Sequence, residues 1–270
     1  MTGVVIAAGV ILVVYALRKE LREGYEQAGR VTAPVRSKVL RTPVEYKDIL
    51  TRYFPYYLQL SPQHKLKFER KVCEFIYRKK FIPRNVDQVT TEAKVLIAAS
   101  AVQITFGLPQ VYLQHFNKIL VYPDAYYSSI TKQYHKGEVN PRFGIIVLSW
   151  QSFVEGYLHP NDAINLGLHE MAHALRIENI IRNDEHNFFD NGLLEQFDSW
   201  AYKICDNIDN WQKGFLRPYA CTNVHEFFSV SVENFFERPA ILKTELPEVY
   251  AILVKLLKQD PMTLTNQLIT

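Results

Sequence analysis

His169 and His173 stand four residues apart in LGLHEMAHALR, and Glu170 directly follows the first of them. On a helix, positions i and i+4 share a face, so two imidazole nitrogens can converge on one zinc ion at about 2.0 to 2.1 Å and leave room for a water and one more protein ligand. Glu170, turned about 100° from His169, can face that water instead of the metal. Zinc lowers the pKa of such a water toward about 7, and a carboxylate can then take its proton as the oxygen attacks a carbonyl carbon. With only 8 histidines in 270 residues, the pattern arises by chance about 0.015 times in a chain of this composition, so the spacing carries information. The competing explanation is a pair of surface histidines linked to Glu170 by charge.

A third protein ligand must come from elsewhere. The continuation that would place Gly at 176 and His at 179 is absent, because those positions are Arg176 and Asn179. Glu178, Glu185 and Glu195 are within reach in sequence, but none has a flanking pattern that recommends it. Further on, YACTNVHEFFSVSVENFFERP offers Tyr219, then Glu226 at the start of an amphipathic helix and Glu233 seven residues later on the same face. One of these two glutamates is the better candidate.

These residues carry a resemblance. Tyr219 and Glu226, around TNxxEFF, look like the tyrosine and third zinc ligand of the anthrax lethal factor type of zincin. The chain more closely resembles the Mlc titration factor A family, through TTEAKVLIAASAV, KILVYPDAY, GIIVLSWQSFVEG, HPNDAINLGLHEMAHAL and TNVHEFFSVSVENFFERP in the same order, over residues 57–255. The resemblance implies a zincin-like zinc metallopeptidase acting on peptides or proteins, an aminopeptidase in particular. In it, His169, His173 and Glu226 ligate Zn2+, Glu170 is the general base, and Tyr219 donates a hydrogen bond to the developing oxyanion. It also implies a rival role, a regulatory protein that sequesters a transcriptional repressor of sugar metabolism. Glu233 is expected to bond a ligand histidine or cap a neighbour. GIIVLSW is similar to the edge strand on which zincins hold extended substrate, so the main chain of residues 145–149 would take peptide by strand addition. Arg176 stands where the related proteins tend to carry Asp, a change expected to alter substrate preference near the metal.

The elements that must hold these groups follow from period and punctuation. Ser61, with Pro62 in the first turn, opens a helix to about residue 79 with Phe68, Val72, Phe75 and Ile76 on one face. Residues 91–104 form a well-buried helix capped by Thr90 or Thr91 and ending near Gly107. Residues 119–122 and 144–150 are strands, rich in β-branched and aromatic side chains and bounded by Pro and Gly. The helix of the histidine pair starts at Asn161 or Asp162, with Ile164, Leu168 and Ala172 at helical spacing, and Gly167, Ala172 and Ala174 let neighbours approach closely. Further helices at 193–206, 224–236 and 247–257 complete an α+β domain over residues 51–270, mostly helical with a small mixed sheet.

Hydrophobic residues make up 48% of the chain, enough for a packed core. Residues 2–17, TGVVIAAGVILVVYAL, are apolar on every face and meet Arg18, Lys19 and Arg22 at once, which predicts a transmembrane anchor followed by a basic juxtamembrane linker over 18–50. Residues 18–84 hold 17 Lys plus Arg against 7 Asp plus Glu, so the positive-inside rule places the body in the cytoplasm. That same placement makes nucleic-acid binding unnecessary to explain a pI near 8.6. Cys73, Cys205 and Cys221 are widely spaced and odd in number, which predicts reduced core thiols.

Overall fold

In the computed structural model, the residues described are 42–263 except 110, 129–131, 182–187 and 207–214. Its first three helices are α1 (Val44–Tyr53), α2 (Pro55–Gln59) and α3 (Pro62–Arg78). Ser61 caps α3 through its side-chain oxygen, which accepts from the His64 N–H at 3.3 Å, and Pro62 takes the first helical position, where its missing N–H costs nothing. Helix α4 (Thr91–Thr105) is capped in the same way by Thr90. With Val95, Ile97, Ala98, Ala99 and Ile104 all fully buried, α4 runs through the middle of the molecule and hides every face.

Strands β1 (Lys80–Pro83), β2 (Lys118–Tyr122), β3 (Tyr126–Ser128), β4 (Gln133–His135), β5 (Gly137–Asn140) and β6 (Ile145–Ser149) form two sheets. The larger has the order β1-β2-β6-β5; its first three strands are parallel and β5 runs antiparallel to β6. The smaller is the β3–β4 hairpin. Helices α5 (Trp150–Leu158), α6 (Leu166–Ile181), α7 (Asn191–Asp206), α8 (Val224–Glu237), α9 (Pro239–Glu245) and α10 (Pro247–Leu257) follow, with a 3-10 turn at Pro218–Thr222 just before α8. Ile119, Val121, Ile146 and Leu148 carry one face of the large sheet into the same core as α4, α6 and α8. The mostly helical architecture with a small mixed sheet agrees with expectation.

Several expectations need correction. GIIVLSW is not an edge: β6 is paired with β2 on one side and β5 on the other along its whole length, because GEVN turns back onto it through Pro141 and Gly144. Among the described residues the edge strands are β1 and β5, and β5 is the one that lies against α6. The expected linker also ends sooner, since residues 44–50 belong to α1, where Tyr46, Ile49 and Leu50 form a short apolar stripe that packs on α4. The cysteines are not all reduced: Cys205 at the end of α7 is bonded to Cys221 in the 3-10 turn, with Cα atoms 5.5 Å apart, and only Cys73 is free and buried. Spacing alone concealed that pair, because the fold brings together residues 16 apart in sequence.

The membrane-anchor expectation for 2–17 lies outside the described residues. Among the described residues, no helix is long and apolar enough to cross a membrane.

Candidate metal centre

Helix α6 starts four residues later than the sequence suggests, and the reason lies in its cap. Asp162 accepts from the Ile164 N–H at 2.9 Å and holds a turn outside the helix, leaving Ile164 about half exposed. Asn165 then caps: its side chain accepts from the Leu168 N–H at 3.0 Å. The small residues of α6 do what their size implies. A Cβ at Gly167 would stand 2.5 Å from the Phe153 ring, and Ala172 and Ala174 are fully buried. Held this closely against α5 and α8, the helix presents His169 and His173 on one face.

Helix α8 brings the third group. Asn223 caps it by accepting from both the His225 and Glu226 N–H groups, which sets Glu226 in the first turn, facing α6. The Nε2 atoms of His169 and His173 are 3.1 Å apart, and one Glu226 oxygen, Oε2, is 3.2 Å from each. A tetrahedral ion bound at about 2.0 to 2.1 Å spaces its ligands about 3.3 to 3.4 Å apart, so these three atoms surround a position of the right size for one metal. They are the only such group among the described residues. Glu178 and Glu195 are elsewhere: Glu178 is buried and accepts from the Gln114 and His115 N–H groups, while Glu195 is exposed. Glu185 lies outside the described residues.

Glu233 supports the centre from behind, and it does both things expected of it. Its carboxylate accepts from the His169 Nδ1–H at 3.3 Å, which leaves the His169 Nε2 lone pair for the metal. It also accepts the backbone N–H of Asn165 at 2.8 Å, tying α8 to the start of α6. Arg217, just before the 3-10 turn, donates to the same Glu233 oxygen that His169 uses. Neither Asn165 nor Arg217 was singled out from sequence. The only signal for Arg217 was its place two residues before Tyr219.

The electrostatics suit a cation. Burial opposes a charged His169, but the Glu226 and Glu233 carboxylates outweigh it and push the pKa up to about 10. Burial likewise opposes a charged Glu226, yet the two histidines hold its carboxyl well below the usual range. A metal must therefore displace a proton from His169 at any pH below about 10. Zinc affinity is accordingly expected to rise with pH between 6 and 8, by about tenfold per unit for each proton displaced, as a chelator-competition titration would measure.

Glu170, buried on the same helix, lies toward β5. A Cβ at Gly137 would stand 2.3 Å from Glu170 Oε1 and 2.6 Å from its carboxyl carbon, so the carboxylate is seated against bare glycine backbone. Burial raises the pKa of Glu170, the nearby histidines lower it, and the net direction is upward. Gly137→Ala is expected to leave zinc content unchanged while slowing peptide cleavage about 10- to 100-fold, because an ångström of displacement at a reacting group costs that much; metal analysis beside a rate assay checks both halves. Tyr219 is half exposed, with its ring centroid 6.1 Å from that of His169. Partial burial and the neighbouring Glu226 push its pKa up to about 12, so the phenol remains a donor at neutral pH.

Two histidines and a glutamate thus surround one metal-sized position, with a buried carboxylate beside an edge strand. The model of the glucose-regulated metallo-peptidase M90 family matches residues 30–258. The chain belongs to that family. Among its relatives are the uncharacterised protein slr2042 of Synechocystis sp., 29% identical over 82% of this chain and 86% of its own length. The Mlc titration factor A proteins of Yersinia pestis and Yersinia pseudotuberculosis are each 25% identical over 75% of this chain and 82% of theirs. Membership in M90 agrees with the resemblance read from the ordered sequence blocks and implies a metal at this centre.

Arg176, where the related proteins tend to carry Asp, is held inside the fold by its own ion pair. It is buried, one guanidinium nitrogen donates to both Asp198 oxygens at 2.6 and 2.7 Å, and its planar group lies over Phe228. It fastens α6 to α7.

Proposed function

We propose that this M90 protein is a zinc peptidase, with His169, His173 and Glu226 holding the ion, and that it cleaves peptides bound in extended form along β5. The observation that carries the reading is the three-atom cluster of side-chain ligands next to a buried carboxylate of α6 that lies against the edge strand β5. Zinc, when bound, supplies Lewis acidity and a water whose pKa is near 7. Glu170 takes the proton of the attacking water and passes it to the leaving amine, and Tyr219 donates its phenolic hydrogen to the oxyanion that forms on the carbonyl.

The edge strand contributes the main-chain contacts. The Ser149 N–H donates to the Lys136 carbonyl at 2.7 Å, which makes 136 and 149 a hydrogen-bonded pair. Antiparallel pairs alternate, so Glu138 and Asn140 bond inward to β6, while the N–H and C=O of Gly137 and Val139 point to the open side. Substrate main chain there would lie next to the Glu170 carboxylate. A peptide library with free and with acetylated N-termini tests the reading. Trimming of single residues from free ends alone supports an aminopeptidase, internal cuts in both sets support an endopeptidase, and no cleavage with zinc bound overturns the assignment.

The Yersinia relatives are named as titration factors, which favours the second role that the family resemblance implies, capture of a transcriptional repressor of sugar metabolism. The Glu170→Gln variant separates the two, because sequestering a repressor survives loss of the base and cleavage does not. We also propose a cytoplasm-facing body tethered by residues 2–17. A C-terminal reporter active only inside the cell supports that placement, and one active outside overturns it.

A further inference from the structure

The Cys205–Cys221 bridge joins the last turn of α7 to the 3-10 turn at Pro218–Thr222. That short stretch carries much of what shapes the centre. Arg217 just before it holds Glu233, Tyr219 lies two residues from Cys221, and Asn223 just after it caps α8 and fixes Glu226. The turn is anchored to α8 by Ala220, by the Arg217–Glu233 contact and by the Asn223 cap, while the bridge is what ties it to α7, and Pro218, Tyr219, Thr222 and Asn223 are exposed. Both cysteines are half-buried, so a thiol can reach the bridge.

We propose that Cys205 and Cys221 are a reversible thiol–disulfide modification site that sets the hold of the centre on its metal. The co-reactant is a dithiol reductant. One of its thiolates attacks a bridge sulfur, the Cys205–Cys221 bond breaks, and a mixed disulfide forms. The second thiolate then resolves that intermediate, so the reductant leaves as a disulfide and the protein keeps two thiols, having gained two electrons and two protons. The opened turn is free to move from α7, taking with it Arg217, Tyr219 and the Asn223 cap. Glu233 and Glu226 then orient the centre less tightly, and zinc leaves faster. A reducing compartment opens the bridge and an oxidising one keeps it closed, so metal retention follows the surroundings.

The proposal rests on the zinc reading above, and two measurements on the full chain keep them apart. The first is zinc release to a chromophoric chelator, before and after a phosphine reductant, which has no thiol to bind zinc. The second is amide hydrogen exchange over residues 215–226, which needs no metal. Reduction is expected to speed zinc release about tenfold, the low end of what losing an orienting partner costs a metal site, and to raise exchange in the turn; reoxidation should reverse both. The double variant Cys205→Ser/Cys221→Ser should release zinc at the reduced rate whether or not the phosphine is present. Equal release rates and equal exchange in the two states overturn the proposal, as does a double variant that holds zinc like the oxidised protein. Absence of zinc in both states, with turn exchange still rising on reduction, sinks the metal reading and leaves the clamp standing. Absence of zinc with unchanged exchange sinks both.

Discussion

Glu170→Gln is expected to cleave peptides about 10²- to 10⁴-fold more slowly than the wild type while holding zinc equally well. Glutamine keeps the shape of the side chain against Gly137 and disturbs none of the three clustered ligand atoms, but it cannot accept a proton. The same carboxylate predicts the acid limb of the rate profile. Burial raises the Glu170 pKa and the histidines lower it, as a bound cation would, and cleavage should fall as pH drops far enough to protonate the base. Measuring kcat/KM between pH 4 and 8 checks the sign. A Glu170→Gln protein that still turns over at the wild-type rate would remove the base from the mechanism.

The second large effect separates two glutamates that sequence alone left as rivals. Glu226→Ala is expected to reduce zinc affinity by more than the roughly 10- to 100-fold that loss of an outer partner costs, because it removes one of the three proposed ligands. Glu233→Ala should fall within that 10- to 100-fold range, since it unties the His169 ring from Arg217 and Asn165 without taking an atom from the metal. Its cost also includes a structural share: Glu233 is 1% exposed, and removing it strands the Asn165 N–H and the Arg217 guanidinium. Equal losses in the two variants would mean that the ligand assignment is wrong. Competition with a chelator of known affinity, at one fixed pH, gives both numbers.

Much of this centre was legible before folding. The i, i+4 pair fixed its own geometry, and Thr90, Ser61 and Pro62 marked helix starts with local chemistry that the structure repeats. Local signals also misled where two of them competed. Asp162 is a good cap by type, but it caps a turn, and Asn165 behind it caps the helix because Glu233, 68 residues away, holds its N–H. Long-range pairings left no trace in the spacing. No sequence signal singled out Gly137, and its role follows only from β5 lying against α6. The edge strand was misplaced for the same reason: β6 has the apolar run, but the four residues of GEVN, with one apolar side chain among them, cover it. Arg176 was read from what related proteins carry at its position, and its ion-pair partner, Asp198, is on the next helix.

A metal-dependent peptidase is the core of the account, and one titration addresses it. Full-length protein is stripped of metal, zinc is added back in steps, and cleavage of an unstructured peptide pool is followed by mass spectrometry. The account predicts no cleavage at the start, a linear rise, and saturation at one zinc per chain. Cleavage that persists in the stripped protein, or that never appears at any zinc level, would contradict it.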